Sequence, residues 1–213
     1  MTSWPDHLLT TLASYEAGAA EYATHSADRG PLAHLHDRFT DLVGPAAFIL
    51  DLGSGPGHDA AELARRGLTA TACDPSRGLL AAGGHPELVG SLIQADSRSL
   101  PFADGCLTGI WSCASLLHLT KLQVTGALRE AHRVLKPGGV LFTSMQHGIG
   151  ELVPFDPGFG LPLRHYFFYA DDEWAEFVHE AGFLIVDQRV NHTEHGVTAH
   201  ADGWIETFAK KNV

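Results

Sequence analysis

The chain has 213 residues, 14 Lys+Arg against 25 Asp+Glu for a formal charge of −11, and 45% hydrophobic against 18% charged residues. This composition excludes a disordered or fibrous chain, and no apolar run reaches the roughly 18 residues that span a bilayer. No Lys/Arg cluster exceeds a pair (Arg65-Arg66, Lys210-Lys211), so the surface is not built to release counterions from phosphates, and neither nucleic acid nor a membrane is expected as a partner.

In chain order, Met1-Thr-Ser-Trp-Pro-Asp-His shows no basic stretch followed by an apolar one, which gives a cytoplasmic expectation. From about His7 to Val43 the apolar residues Leu8, Leu9, Leu12, Tyr15, Ala19 and Tyr22 recur at helical steps, and a second helix is expected around Leu32 to Leu42. Ala46 to Leu52 reads as a short buried strand running into Gly53-Ser-Gly-Pro-Gly and a helix from about Asp59 to Arg66, stopped by Gly67. The unit repeats. Thr69 to Asp74 is a strand, Ser76 to Ala82 a helix, Leu92 to Asp96 a strand and Leu107 to Ser112 a strand. Leu122 to Leu135 is a periodic helix ended by Lys136-Pro-Gly-Gly, and Val140 to Met145 a fifth strand. After the Gly/Pro-rich stretch Gly148 to Pro162 come a helix over Asp171 to Ala181 and strands over Phe183 to Val190 and Trp204 to Ala209.

Alternating strands and helices imply right-handed crossovers and a parallel sheet covered on both faces. The expected fold is α/β: a Rossmann-like, seven-stranded, mostly parallel sheet with an antiparallel C-terminal strand and an N-terminal helical cover. It forms a single domain, with 1–44 as the cover, 45–147 as the cofactor-binding core and 148–213 as an acceptor-side loop and C-terminal strands. Cys73, Cys106 and Cys113 are an odd count without CxxC spacing and read as reduced, partly buried thiols.

The sharpest chemical signal is Ile49-Leu-Asp-Leu-Gly-Ser-Gly-Pro-Gly, because glycines between a strand and a helix N-terminus let a ligand lie against bare backbone at the positive end of the helix. A dinucleotide fingerprint needs G-x-G-x-x-G, and His58 stands where its third glycine would fall, so the fit to NAD is poor. Twenty-one residues after Gly53, Asp74 ends the second strand where an acidic side chain takes both hydroxyls of a ribose, and Asp96 ends the third.

These motifs, with Cys73-Asp-Pro-Ser, Gln94-Ala-Asp-Ser, Leu100-Pro-Phe, Trp111-Ser-Cys-Ala-Ser-Leu-Leu-His-Leu, Ala127-Leu-Arg-Glu-Ala-His-Arg-Val-Leu-Lys-Pro-Gly-Gly, Tyr169-Ala-Asp-Asp-Glu-Trp and Trp204-Ile-Glu-Thr-Phe-Ala-Lys, occur in one order. From about Phe48 on, the chain resembles the class I S-adenosylmethionine (SAM) dependent methyltransferases, specifically the small bacterial type 11 group. The resemblance implies that Asp51, Gly53, Ser54, Gly55 and Gly57 hold the methionine part of SAM and Asp74 its ribose. It implies that Pro75 and Ser76 flank the adenine, that Asp96 and Ser97 read it, and that Cys113 and Ala114 lie under the sulfonium. Tyr15 and Tyr22 fall in the segment that covers SAM in this family. Two departures are Thr108, where an Asp often precedes the fourth strand, and Ser54, where Cys is common.

Methyl transfer from a sulfonium is an in-line displacement, so alignment and exclusion of water are the main tasks and a base is useful without being obligatory. His118 and then His147 are the candidate bases, and Arg164, His165 and Tyr166 the candidate acceptor contacts. His118 reads equally as a base or as a histidine fixing its loop by a backbone hydrogen bond. Tyr15 and Tyr22 read as cofactor contacts or as core packing. His192, Glu194, His195 and His200 have metal-ligand chemistry, but their loop spacing favours surface histidines, and no metal is expected. Arg129, Glu130 and Arg133 read as a solvated ion-pair face. Phe155, Phe159 and Tyr166-Phe-Phe are expected to wall the acceptor. The resulting expectation is a SAM-dependent methyltransferase, releasing S-adenosylhomocysteine (SAH), that acts on a small molecule. An NAD-dependent oxidoreductase, a non-catalytic SAM/SAH-binding module and an RNA methyltransferase are the alternatives, and no Asn/Asp-Pro-Pro-Tyr motif follows the fourth strand to favour a base-modifying enzyme.

Overall fold

The computed structural model describes residues 4–152, 164–192 and 203–212. The N-terminal segment divides at Gly18 into α1 (Asp6–Ala17) and α2 (Ala19–His25), and a 3-10 turn at Gly30–Leu32 leads into α3 (Ala33–Val43). β1 (Phe48–Leu52), α4 (His58–Arg65), β2 (Thr69–Asp74), α5 (Arg77–Gly83), β3 (Leu92–Gln94) and β4 (Leu107–Cys113) follow the expected alternation. Ser76 is the N-cap of α5, its side chain accepting from the Leu79 N–H, because its short hydroxyl can serve a donor the first turn leaves unpaired.

α6 (Lys121–Val134) opens on a capping box made by Thr120 and Gln123. Its end is not a Gly/Pro loop. β5 (Leu135–His147) begins immediately, running through Lys136-Pro-Gly-Gly, and Lys211 Nζ donates to the carbonyls of His132 and Leu135 at 2.7 and 2.8 Å. A two-stranded ribbon of β6 (Glu151–Leu152) and β7 (Tyr166–Phe167) precedes α7 (Asp171–Glu180), β8 (Phe183–Asn191) and β9 (Gly203–Lys211).

The main sheet has seven strands in the order β3-β2-β1-β4-β5-β9-β8, parallel as far as β5, with β9 antiparallel to both its neighbours. β9 is therefore inserted between β5 and β8. The reversal between β1 and β4 opens a crevice at the carboxyl ends of the strands, the place where ligands bind in open α/β sheets. One face buries Leu50, Leu52, Ile110, Leu141 and Met145 with Val124 and Leu128 of α6 and Trp174 of α7. The other buries Ile49, Trp111, Phe142 and Phe208 with Leu35 and Phe39 of α3 and Leu63 of α4, and the Trp111 and Phe142 rings stack at 4.0 Å.

Arg133 and Glu130 do more than face solvent. Glu130 accepts from the Leu100 N–H at 2.9 Å, and Arg133 reaches the Phe102 carbonyl and Asp104, so the pair ties the loop after β3 to α6.

Candidate active site

A cleft of about 950 Å³, counting the part open to solvent, lies between α1–α2 and the carboxyl ends of β1, β2 and β4. That is the size range of small-molecule sites. Its floor is the glycine turn. Gly53, Gly55 and Gly57 have φ of +71°, +55° and +83°, in the left-handed region that penalises a Cβ. A Cβ on Gly53 would fall 1.7 Å from Ser115 Oγ, so glycine is what lets the loop after β4 close on the turn. The Gly53 and Ser54 N–H groups donate to the Cys73 carbonyl at 2.7 and 3.0 Å, locking the turn to β2.

Asp74 ends β2 inside this cleft, 7% exposed, with Oδ2 accepting from the Gly55 N–H and Oδ1 from the Ser76 N–H, each at 2.8 Å. Burial outweighs these donors and raises its pKa to about 6. Each oxygen keeps a lone pair. Pro75 lines the cleft beside it, whereas Ser76 is spent on capping. Asp96 and Ser97 line the rim, but Asp96 is forked by Arg98, whose Nη2 is 2.6 Å from Oδ2 and whose Nε is 2.9 Å from Oδ1, and Trp4 packs over that guanidinium at 5.5 Å. Arg98 was not foreseen from the sequence.

Asp51 serves the fold. Its Oδ2 accepts from the Ala60 N–H at 2.9 Å, capping α4 from the end of β1, and it is not among the cleft-lining residues. Burial and the nearby Asp59 push its pKa well up. Burial also works against the charge on Asp59, yet Arg29 and His36 outweigh it and hold its carboxyl below the usual range. Arg29 Nε lies 3.2 Å and His36 Nε2 2.9 Å from Asp59 Oδ1. Arg29 lines the cleft beside Ser54 and Tyr22, a second residue sequence reasoning missed, because a lone Arg between two helices carries no local signal.

Cys113 is the last residue of β4, one later than expected, and burial pushes its thiol up to about 12, so it carries no thiolate near neutrality. Ala114 has φ +52°, a left-handed conformation in a residue with a Cβ, held because its N–H donates to Ser144 Oγ at 2.9 Å and to the Ser144 carbonyl at 3.2 Å. Both residues line the cleft.

Tyr15, Tyr22 and His118 form one wall, with the tyrosine rings edge-to-face at 5.2 Å. His118 is enclosed: Nδ1 is 2.6 Å from the His165 carbonyl and Nε2 3.0 Å from the Tyr15 hydroxyl. A carbonyl only accepts, so Nδ1 carries the proton and Nε2 accepts from Tyr15. Burial lowers the His118 pKa to about 4, leaving the ring neutral near pH 7.

Arg164, His165 and Tyr166 are not among the lining residues; they brace this wall from behind. Arg164 is 3% exposed and packs on Tyr15 at 5.2 Å and on Tyr166 at 5.7 Å, while the His165 N–H donates to Thr11 Oγ1 at 3.1 Å. His147 also stands apart from the cleft, its ring 6.0 Å from that of His192, because β5 carries it past the carboxyl end of β4. Glu194, His195, His200, Phe155 and Phe159 lie outside the described residues, and among the described residues no cluster of three or more ligating side chains could hold a metal. No described helix is long and apolar enough to cross a membrane.

Residues 50–143 match a family model described as a methyltransferase domain, of type 11. A demethylmenaquinone methyltransferase from Corynebacterium urealyticum is 36% identical over 125 residues, 58% of this chain and 50% of that protein. The chain thus spans about half the length of the curated relatives it matches. Among solved structures, the 1,6-didemethyltoxoflavin-N1-methyltransferase of Burkholderia thailandensis, with SAH bound, superposes with a TM-score of 0.70 at 17% identity, covering 100% of this chain and 93% of that one. The [4+2]-cyclase SpnF superposes with a TM-score of 0.71 at 19% identity, covering 100% and 98%. Over residues 50–143 the chain is thus similar to methyltransferase domains, and its fold is the one these solved structures share.

Proposed function

We propose that the cleft binds SAM and that the chain transfers its methyl group to a small-molecule acceptor, releasing SAH. The observation that carries the reading is Asp74: a buried carboxylate, aimed by two backbone donors into a glycine-floored cleft, with one lone pair left on each oxygen for two vicinal hydroxyls. The residues present fit the cofactor. Gly53 and Gly55 offer bare backbone to its methionine part, with Ser54 and Gly57 completing the turn, and Arg29, its Nε toward Asp59, supplies the cation for the carboxylate. Pro75 and Ser97 flank the adenine, and Asp96, both of whose oxygens accept from Arg98, lines the rim beside them. When bound, SAM supplies an activated methyl group on a sulfonium.

The protein's own part is alignment. Cys113 and the strained Ala114 shape the floor near that methyl, Tyr15 and Tyr22 close the cleft from above, and Trp4, Leu8 and Leu12 present an apolar wall. His118, with both nitrogens engaged, holds Tyr15 in place and takes no proton. Demethylmenaquinone, named for the relatives, is the first acceptor to try, since its ring system suits an apolar wall. One structural neighbour is a [4+2]-cyclase, so this fold also serves reactions other than methyl transfer.

Thermal unfolding with SAM, SAH and NAD tests the cofactor. A ligand at about 100 times its Kd adds roughly 2.7 kcal/mol, or about 5 to 10 °C at this size. Stabilisation by SAM and SAH alone is expected; stabilisation by NAD alone, or by none, refutes the reading. Release of SAH with demethylmenaquinone and a panel of phenols and amines then separates an enzyme from a binding module.

A further inference from the structure

α1 lays two polar side chains along the cleft, Thr11 and Tyr15, one helical turn apart and flanked by Trp4, Leu8 and Leu12. Their hydrogens follow from their partners. Tyr15 gives its proton to His118 Nε2 at 3.0 Å, and Arg164 Nη1, which can only donate, approaches the Tyr15 oxygen at 3.4 Å. The Tyr15 proton is therefore spent on His118.

Thr11 has the opposite polarity. Its Oγ1 accepts from the His165 N–H at 3.1 Å and is 4% exposed at residue level. Threonines in the helices elsewhere give their proton to the carbonyl four residues back: Thr10 to Asp6, Thr24 to Ala20, Thr40 to His36 and Thr125 to Lys121. Thr11 makes no such bond, and among the described residues its proton has no acceptor, although burying an unpaired donor is costly. Thr11 also stands on the acceptor side. The segment after β2 meets α1 at its last turn, where the Gly78 N–H donates to Glu16, whereas Thr11 contacts His165 in the segment before β7.

Resting on the methyl-transfer reading of this cleft, we propose that Thr11 orients the methyl acceptor, donating its hydroxyl proton to a carbonyl or oxyanion oxygen carried on an apolar frame. The substrate class is then an apolar, ring-sized molecule with a hydrogen-bond-accepting oxygen near the methylated atom. A charged amine or a polyol does not suit this wall.

The test uses a matched pair of probes, 1-tetralone and its hydrocarbon tetralin, titrated calorimetrically into the SAH-saturated protein. The expected result is about tenfold tighter binding of the ketone, kept in Thr11→Ser and abolished in Thr11→Val, with SAH affinity unchanged in both variants. A merely structural threonine would move stability and not the ketone-to-hydrocarbon ratio. No ketone binding, no preference in the wild type, a preference that survives Thr11→Val, or weakened SAH binding in Thr11→Val each overturns the proposal. Long-range proton–nitrogen spectra of histidine-labelled protein check the polarity independently, with His118 protonated on Nδ1 expected; protonation on Nε2 would reverse the argument. Failure of the underlying cofactor reading shows separately, as a wild type that does not bind SAH.

Discussion

Asp74→Asn is the substitution that probes the cleft most directly. In the wild type each carboxylate oxygen accepts one backbone N–H at 2.8 Å, from Gly55 and from Ser76, and has one lone pair to spare. Asparagine has a single carbonyl oxygen, so its NH2 must face one of those two donors, and only the carbonyl oxygen can still accept a proton from one of the two hydroxyls. Hydrogen bonds to a charged acceptor contribute roughly 1.5 to 3 kcal/mol each, so loss of one full bond and weakening of the other amounts to about 3 kcal/mol, or roughly a hundredfold in Kd. The pH dependence gives a second, independent signature. Burial raises the Asp74 pKa from 3.8 to about 6, so the free protein takes up a proton as pH falls through about 6. Two hydroxyl donors favour the ionised form, so the SAH complex keeps its carboxylate charged to lower pH. Affinity for SAH is therefore expected to fall by up to about tenfold per pH unit below pH 6 in the wild type and to stay flat in Asp74→Asn. For the ligand-free fold the sign is reversed. A carboxyl whose folded pKa lies above its unfolded value contributes most below about pH 4, and that contribution, of the order of 3 kcal/mol, is lost as pH rises through about 6. Isothermal titration of SAH from pH 5 to 7.5 on both proteins measures the affinities, and denaturant unfolding of the ligand-free proteins between about pH 4 and 7 measures the stability. An unchanged Kd in Asp74→Asn, or a wild-type Kd indifferent to pH across this range, would refute the assignment.

Arg29→Met is expected to weaken SAH by about tenfold or more while leaving 5′-methylthioadenosine, which lacks the amino-acid part, unaffected; equal losses for both ligands would remove Arg29 from the methionine end. Ala114→Gly relieves a left-handed φ at modest backbone-entropy cost, so thermal unfolding should show no loss and a gain of up to about 1 kcal/mol, whereas clear destabilisation would mean that the Cβ contact outweighs the strain. Trp111→Ala removes a fully buried indole stacked on Phe142 and should cost about 3 to 5 kcal/mol in denaturant unfolding; a cost under 1 kcal/mol would contradict the packing. The His118 ring, neutral because burial lowers its pKa to about 4, should show no NMR titration between pH 5.5 and 8, and a midpoint near 6.5 would restore it as a candidate base.

Much of this molecule is legible from local chemistry. The strand, glycine turn and helix over 48–65, the acidic end of β2 at Asp74 and the serine cap of α5 each depend on residues a few positions apart, whose backbone preferences and short-range hydrogen bonds are intrinsic to the chain. The seven strands and the antiparallel C-terminal pair were likewise readable from periodicity and from the missing helix between the last two. Where local signals misled, the reason is tertiary. Lys136-Pro-Gly-Gly ends α6 as it reads, yet β5 runs straight through it, and Lys211, arriving on β9, binds the carbonyls of His132 and Leu135 at that junction. The β6–β7 ribbon is two residues on each side, too short for any pattern.

The site divides in the same way. Asp74 and the glycines declare themselves in sequence. Asp51 looks like a ligand contact until the fold turns it onto the Ala60 N–H, and Asp96 until Arg98 folds back on it. His118 is separated from Tyr15 by 103 residues and Thr11 from His165 by 154, so no pattern along the chain could show that the histidine is held neutral or that the threonine keeps a proton to give. Sequence by itself determined the elements and the order of the strands' chemistry, because propensity and capping act over a turn or less. Only the tertiary structure decided which side chains are free to meet a ligand, because a hydrogen-bonding group is committed or spare according to what distant segments bring to it.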